Sequence, residues 1–368
     1  MFDRRLLQNF DWILLILLIL IACLSALNLY SATFPIRDTG GSQIFLKQIY
    51  WFLIGFVFLL ITTTFDYHIL ERFAYPAYFF SLALLILVLV IGKVHSGSQR
   101  WLTIGPITFQ PSEMAKIALI LTLARYFHQR GESHKEYRLR DLWQPFLLIS
   151  LPCFLIMKEP DLGTALIVMI VSFSMILFAK VKWKSLFILI FLFLSSVPFV
   201  WFLLKDYQQK RIWTFLRPEM DPLGAGYHIH QSKIAIGSGL FWGKGYLKGT
   251  QTRLHFLPEQ HTDFAFSVLA EEWGFVGSAC LLALYLFLIL WGINIAKSSK
   301  DMFGTFLAIG IISVLFWQLV INVSMAIGLL PVVGIPLVML SYGGSSVVST
   351  MASMGLLMNI SMRRFMFQ

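Results

Sequence analysis

The run Glu259-Gln260-His261-Thr262-Asp263 leads directly into apolar sequence at Phe264, which sets carboxylates at the mouth of a helix. A carboxylate there, between a basic loop and an apolar span, suits general-base work, because partial burial raises its pKa toward working pH. The plainer reading is that Thr262 or Asp263 only caps the helix, with His261 a polar interface residue. Glu271 and Glu272, two turns deeper, must face other helices or a cavity. Glu113 and Lys116 stand at i, i+3 just after Pro111-Ser112, on one helical face. They form either cavity groups or a local ion pair with Ser112 as the N-cap. In Lys158-Glu159-Pro160-Asp161, Asp161 is either a site residue or the N-cap of the next helix through Gly163 or Thr164. Gly237-Ser238-Gly239 and Gly243-Lys244-Gly245 invite a phosphate-loop reading, but Gly-x-Gly alone is weak and no strand precedes it, so a nucleotide site is rejected.

The elements that carry these groups are membrane spans. Of 368 residues, 58% are hydrophobic and 13% charged, against about 25% charged in soluble domains. So much apolar surface needs the bilayer as its solvent. The expected fold is an all-α polytopic membrane protein with about ten transmembrane helices. They fall near 12–30, 48–65, 74–92, 112–127, 142–157, 162–179, 184–204, 265–294, 304–328 and 337–360. The first is expected to be a retained helix, since its apolar run is too long for a signal peptide and no cleavage site follows. Cys23, Cys153 and Cys280 each lie in an apolar run without metal or disulfide spacing.

Arg4, Arg5, Arg72, Arg130, Lys135, Arg138, Arg140, Lys180, Lys182, Lys184, Lys297, Lys300, Arg363 and Arg364 fall on one side of these spans, and only Arg37, Lys47, Lys93, Arg100 and Lys158 in the short connections of the other. The positive-inside rule then makes both termini cytoplasmic and puts the one large loop, between helices 7 and 8 at about 205–264, outside. The formal net charge of +10 follows that asymmetry, and no basic stripe on a soluble domain suggests nucleic acid. The outer loop is rich in aromatics, glycines and basic residues, and Tyr227 to Ile236 is expected to be a short interfacial helix with Ile229, Ile234 and Ile236 embedded. Gly328-Leu329-Leu330-Pro331-Val332-Val333-Gly334-Ile335-Pro336 and Ser341-Tyr342-Gly343-Gly344-Ser345-Ser346 put proline and glycine at membrane depth. A broken helix follows, tolerated where backbone is buried in protein or lines a cavity.

Taken together these segments resemble the SEDS family (shape, elongation, division and sporulation), nearest its RodA-type elongation branch. The resemblance is carried by Arg100-Trp101, Phe109-Gln110-Pro111-Ser112-Glu113 with Lys116, Pro160-Asp161-Leu162-Gly163-Thr164, Gln231 to Gly239, Gly249-Thr250-Gln251, Leu257-Pro258-Glu259, His261-Thr262-Asp263-Phe264, Ala270-Glu271-Glu272 with Gly274, Gly328 to Pro331 and Ser341 to Ser345. These runs keep the family order over nearly the whole chain. Val338 departs from a usual proline, Leu240 from a usual glycine and Glu159 from a common glutamine.

The resemblance implies a single membrane domain over 1–368, in the bacterial cytoplasmic (inner) membrane, acting as a peptidoglycan glycosyltransferase. It would polymerise lipid II, as donor and acceptor, on the extracytoplasmic side, for wall elongation and rod shape. Asp263 matches the family's essential aspartate and would be the general base. Arg100, Glu113, Lys116, Asp161, Lys233, Lys244 and Ser341 would support the cavity and the substrate, with Arg100, Lys116, Lys233 and Lys244 as candidate cations for the diphosphate. The implied partner is a class B penicillin-binding protein, which supplies the transpeptidase. A divalent cation, magnesium or manganese, supports relatives, and the sequence assigns it no ligands. Two other readings are a lipid II flippase, which needs no base in the outer loop, and a non-catalytic scaffold, which needs neither ion cluster.

Overall fold

A computed structural model describes residues 9–95, 98–104, 107–131, 136–189, 191, 195, 202, 206–217, 224–254, 256–257 and 259–364. The chain is mostly helical. Helices α1 (Trp12–Thr33), α2 (Gly41–Thr64) and α3 (Tyr67–Ile91) are followed by strands β1 (Lys93–His95), β2 (Ser98–Ile104) and β3 (Ile107–Phe109). Then come α4 (Pro111–Gly131), α5 (Trp143–Lys158) and α6 (Leu162–Phe178), the loop helices α7 (Asp206–Leu216), α8 (Ala225–Ser238) and α9 (Thr250–Arg253), and finally α10 (Ala265–Lys297), α11 (Met302–Ala326) and α12 (Gly344–Arg363). Among the described residues six helical stretches are long and apolar enough to cross a membrane: Trp12–Arg37, Gly41–Thr64, Tyr67–Ile91, Leu139–Lys158, Ala265–Lys297 and Met302–Ala326. The expected seventh span, 184–204, lies largely outside the described residues.

Apolar side chains divide between lipid and core. Leu53, Val57, Phe79, Val90, Phe154, Phe178 and Leu290 are exposed on the outer helices, while α4, α11 and α12 bury most of their apolar residues. Between spans, lipid gives no hydrophobic drive, so close packing of small residues carries the association. Helix α12 packs along α2, where a Cβ on Gly355 would lie 2.5 Å from the Leu59 carbonyl oxygen. Asn359 Nδ2 donates to the Thr62 and Thr63 carbonyls at 2.9 and 3.1 Å, satisfying the open C-terminus of α2.

One end of the bundle is laced by polar side chains. Asp11 caps α1 and accepts from Trp291 and Ser361. Arg363 pairs with Asp66 at 3.1 Å, and Tyr67 donates to Asp301, the N-cap of α11. The opposite end holds the hairpin strands, the α5–α6 turn, the long loop and the segment before α12.

Four details differ from the sequence expectation. An antiparallel three-stranded meander, in the order β1-β2-β3, stands between α3 and α4, where Gly and polar residues among short β-branched runs hid the strands. The last span starts at Gly344 rather than 337. Residues 327–343 are non-helical yet Leu337, Val338, Met339 and Leu340 are buried. Their carbonyls are satisfied by side chains: Ser25 donates to Leu340, Gln48 to Ser341, Tyr285 to Val338 and Asn322 to Ile335. That is the condition for irregular backbone at membrane depth. The interfacial helix exists as α8, but it buries Ile229, Ser232 and Ala235 while Ile234 is exposed. Finally, Ser112 is no cap: its hydroxyl is buried and unpartnered among the described residues.

The loop glycines also have a structural cause. Helix α10 breaks at Gly274, at φ +64 and ψ −157. Residues 239–245 cross the break: Lys244 N–H donates to Glu271 O at 3.0 Å, Gly245 N–H to Glu272 O at 2.9 Å and Phe275 N–H to Leu240 O at 2.9 Å. A Cβ on Gly243 would lie 2.1 Å from Glu272 O. These glycines allow backbone to approach backbone, and no phosphate is needed to explain them.

Candidate active site

Local chemistry sets each wall of one cavity. β2 carries Arg100 and Trp101. Pro111, whose missing N–H costs nothing at a first helical turn, starts α4 and projects Glu113 and Lys116 inward on one face. Asp161 caps α6, accepting from Thr164 N–H at 3.1 Å and its hydroxyl at 2.9 Å. The turn 259–264 leads into α10, whose N-cap, Phe264, has no side-chain cap. Asp263 therefore does not cap the helix, and its carboxylate accepts no hydrogen bond among the described residues.

The cavity has a volume of about 120 Å³ and is lined by Arg100, Gln110, Glu113, Lys116, Asp263 and Gln318, with Tyr342, Ser345 and residues of 334–336 completing the lining. Glu113 and Lys116 pair at 2.7 Å, both nearly buried, and Ser349 Oγ donates to Glu113 Oε2 at 2.7 Å. Arg100 Nη1 lies 3.6 Å from Asp161 Oδ1, and Gln110 Nε2 donates to Asp161 Oδ2 at 2.8 Å. Asp161 thus both caps and anchors Arg100. Asp263 is half-buried, with Oδ2 3.7 Å from where a Cβ at Gly334 would stand. Asn322 Nδ2 reaches both Asp263 O at 3.0 Å and Ile335 O at 2.8 Å, which ties the carboxylate's backbone to the buried loop.

Burial, and next the neighbouring charge of Glu259, push the Asp263 carboxyl up to about 6, with Arg100 and Arg211 opposing. Burial holds His261 below the ordinary histidine value against the pull of Glu259, so at neutral pH it is the uncharged neighbour.

Arg100, Glu113, Lys116 and Asp263 come together here, with Asp161 directly behind. The other three expected residues lie elsewhere. Lys244 pairs with Glu271 at 2.7 Å, and the same carboxylate accepts from Gln251 and Thr252 N–H at the start of α9. Lys233 is exposed on α8, its ammonium lying over Gly328. Buried Ser341 accepts from Leu337 N–H at 2.9 Å and shapes the loop. Gln110 and Tyr342 stand in the quoted sequence runs without a role of their own, and Gln318 and Asn322 stand outside those runs. Gln318 and Asn322 did leave a signal, two amides at i, i+4 within an apolar span. Among the described residues no three His, Cys, Asp or Glu side chains gather into a metal site.

A multi-pass membrane protein with a polar, carboxylate-bearing cavity at one end of its bundle is the class that fold and site define. The chain belongs to the FtsW/RodA/SpoVE cell cycle protein family, whose model matches residues 11–365. Peptidoglycan glycosyltransferase MrdB of Escherichia coli (strain K12) is 40% identical over 367 residues, covering 97% of this chain and 95% of the relative. Peptidoglycan glycosyltransferase RodA of Treponema pallidum (strain Nichols) is 33% identical over 429 residues, covering 97% and 98%. A solved structure reported as "Structural coordination of polymerization and crosslinking by a peptidoglycan synthase complex" is similar with a TM-score of 0.83 at 33% identity, covering 97% and 98%. The crystal structure of the rod shape determining protein RodA of Thermus thermophilus is similar with a TM-score of 0.71 at 29% identity and the same coverage.

Proposed function

We propose that Asp263 is the general base of the glycosyl transfer by which this chain, a peptidoglycan glycosyltransferase, polymerises lipid II. The activity class rests on the family and on the names its relatives carry. The observation that carries the site assignment is the unpaired, half-buried Asp263 carboxylate in the same cavity as Arg100 and the Glu113–Lys116 pair.

The acceptor's C4 hydroxyl attacks the anomeric carbon of the donor's muramoyl sugar while Asp263 takes the hydroxyl proton. The new C–O bond forms as the bond to the diphosphate breaks, and undecaprenyl diphosphate leaves. Inversion needs one base and no covalent intermediate, which a lone carboxylate supplies. Developing charge on the diphosphate needs a preorganised cation. Arg100 is the first candidate, being more loosely paired at 3.6 Å than Lys116 at 2.7 Å. Gln110 and Asn322 act only by position: one holds Asp161, the other the backbone of Asp263.

The proposed topology has ten spans: six from the apolar helices, three from α4, α6 and α12, and a tenth expected from the apolar sequence of 184–204 alone, which lies largely outside the described residues. Both termini are then cytoplasmic, at the end laced by Asp11, Asp66 and Asp301. The cavity opens on the extracytoplasmic side of the inner membrane, where the flipped lipid II presents its sugars. This orientation follows from the Lys/Arg asymmetry of the short loops. A class B penicillin-binding protein is the partner, supported by the likeness to a chain from a peptidoglycan synthase complex.

The test is polymerisation of pure lipid II by purified protein with its partner. Asp263→Asn keeps the size and removes the base, so glycan product should vanish while folding and partner binding persist. Near-normal synthesis by the folded variant would instead favour a flippase or a scaffold.

A further inference from the structure

Behind the cavity wall, at the end of α5, lies a carboxyl group that the transfer chemistry does not use. Glu159 is fully buried, and neither of its oxygens takes a hydrogen bond among the described residues. The charged groups that face it are Asp161, at the mouth of α6, and Arg100, on β2. Arg100 has the complementary feature: its Nε–H is buried and unpartnered among the described residues, and Nη1 alone reaches Asp161. A donor and an acceptor group of one charged set are thus both left open. An ionised carboxylate without partners is costly in the interior, and beside another carboxylate one of the two ionises late.

We propose that Glu159 is a positioning residue for Arg100. As the neutral acid it leaves the guanidinium turned to the cavity with Asp161 as counter-ion; once ionised it draws the Nε–H of Arg100 to itself and withdraws the guanidinium from the diphosphate. Burial first, and then Asp161, push the Glu159 carboxyl up to about 8, with Arg100 opposing. The group is therefore protonated at neutral pH and loses its proton as pH rises through that value. Asp161 is capped into α6 and held by Gln110, so it keeps its place while Arg100 turns. The inference rests on Arg100 being the cation that meets the diphosphate.

The experiment measures lipid II polymerisation against pH by the full chain with its partner, for wild type, Glu159→Gln and Glu159→Ala. Wild-type kcat/KM should fall about tenfold from pH 7 to pH 9, and Glu159→Gln should stay within about twofold across that range, because its amide cannot ionise. Glu159→Ala cannot ionise either, so it too should lack the alkaline limb. Difference infrared spectroscopy supplies a readout without turnover: a protonated-carboxyl band, absent from Glu159→Gln, should titrate with the midpoint of the alkaline limb. A wild-type alkaline limb retained in Glu159→Gln overturns the proposal, as does the lack of that band at pH 7. Asp263→Asn run alongside separates the two readings, since normal polymerisation by that variant sinks the base assignment while the infrared band still decides the protonation of Glu159.

Discussion

Lowering the pH should switch off polymerisation through Asp263 well above the range of an ordinary aspartate. A base works only when ionised, and the Asp263 carboxyl is pushed up to about 6 from 3.8. Below pH 6, kcat/KM should fall about tenfold per pH unit, since the ionised fraction falls by that factor. Two neutral substitutions should move this limb in opposite directions. Glu259→Gln removes a cause that raises the value and shifts the limb down; Arg100→Gln removes one that lowers it and shifts the limb up. Each shift should be roughly half to one pH unit, the size expected for one charge across a half-solvated cavity. Stability gives a second readout. Because the folded value is the higher one, the group's contribution is fully present below the unfolded value and is lost as pH rises through about 6. The gap corresponds to at most roughly 3 kcal/mol, reduced by water in the cavity. Asp263→Asn should therefore melt above wild type at pH 7.5, with the difference closing toward pH 4. The assay is lipid II polymerisation with matched thermal melts in detergent. An acid limb below pH 5 in wild type, or the two substitutions moving it the same way, would refute the account of Asp263.

Glu113→Ala leaves Lys116 as a buried, unpaired cation and should destabilise the protein by about 3–5 kcal/mol. Glu113→Gln with Lys116→Met removes both charges and should recover most of that stability without recovering polymerisation; a double variant that melts no higher than the single contradicts this. For the orientation, a cysteine at Lys248, in a background lacking Cys23, Cys153 and Cys280, should react with a membrane-impermeant thiol reagent on intact spheroplasts. One at Glu136 should react only after permeabilisation, and the reverse labelling would put the cavity on the wrong side for this chemistry.

How much of this was legible in the chain depends on the range of the interaction. Spans were visible because hydrophobic length is a local property: the run Trp12 to Leu29 appears as α1, and 304–328 as α11. Asp263, Glu113, Lys116 and Arg100 could be singled out because charge beside apolar sequence is costly enough to demand a reason. The break in the last span was legible too, from Pro331, Gly334 and Pro336. The strands at 93–109 were not, since their pairing depends on each other rather than on any periodicity of their own.

The tertiary structure alone decided which polar groups meet. Lys244 and Lys233 look as suitable for a diphosphate as Arg100 does in a one-dimensional list, but Glu271 engages the first and the second lies over Gly328 outside the cavity. Ser341 sits in a matching motif, yet its hydroxyl holds the Leu337 amide. Only the fold shows that Asp263 leaves α10 uncapped, that Asn322 bridges the Asp263 and Ile335 carbonyls, and that Glu159 is fully buried. The physical reason is common to all of these. A side chain's type sets what it can donate, accept or titrate, whereas its partner, its burial and hence its charge state are set by elements that arrive from distant parts of the sequence.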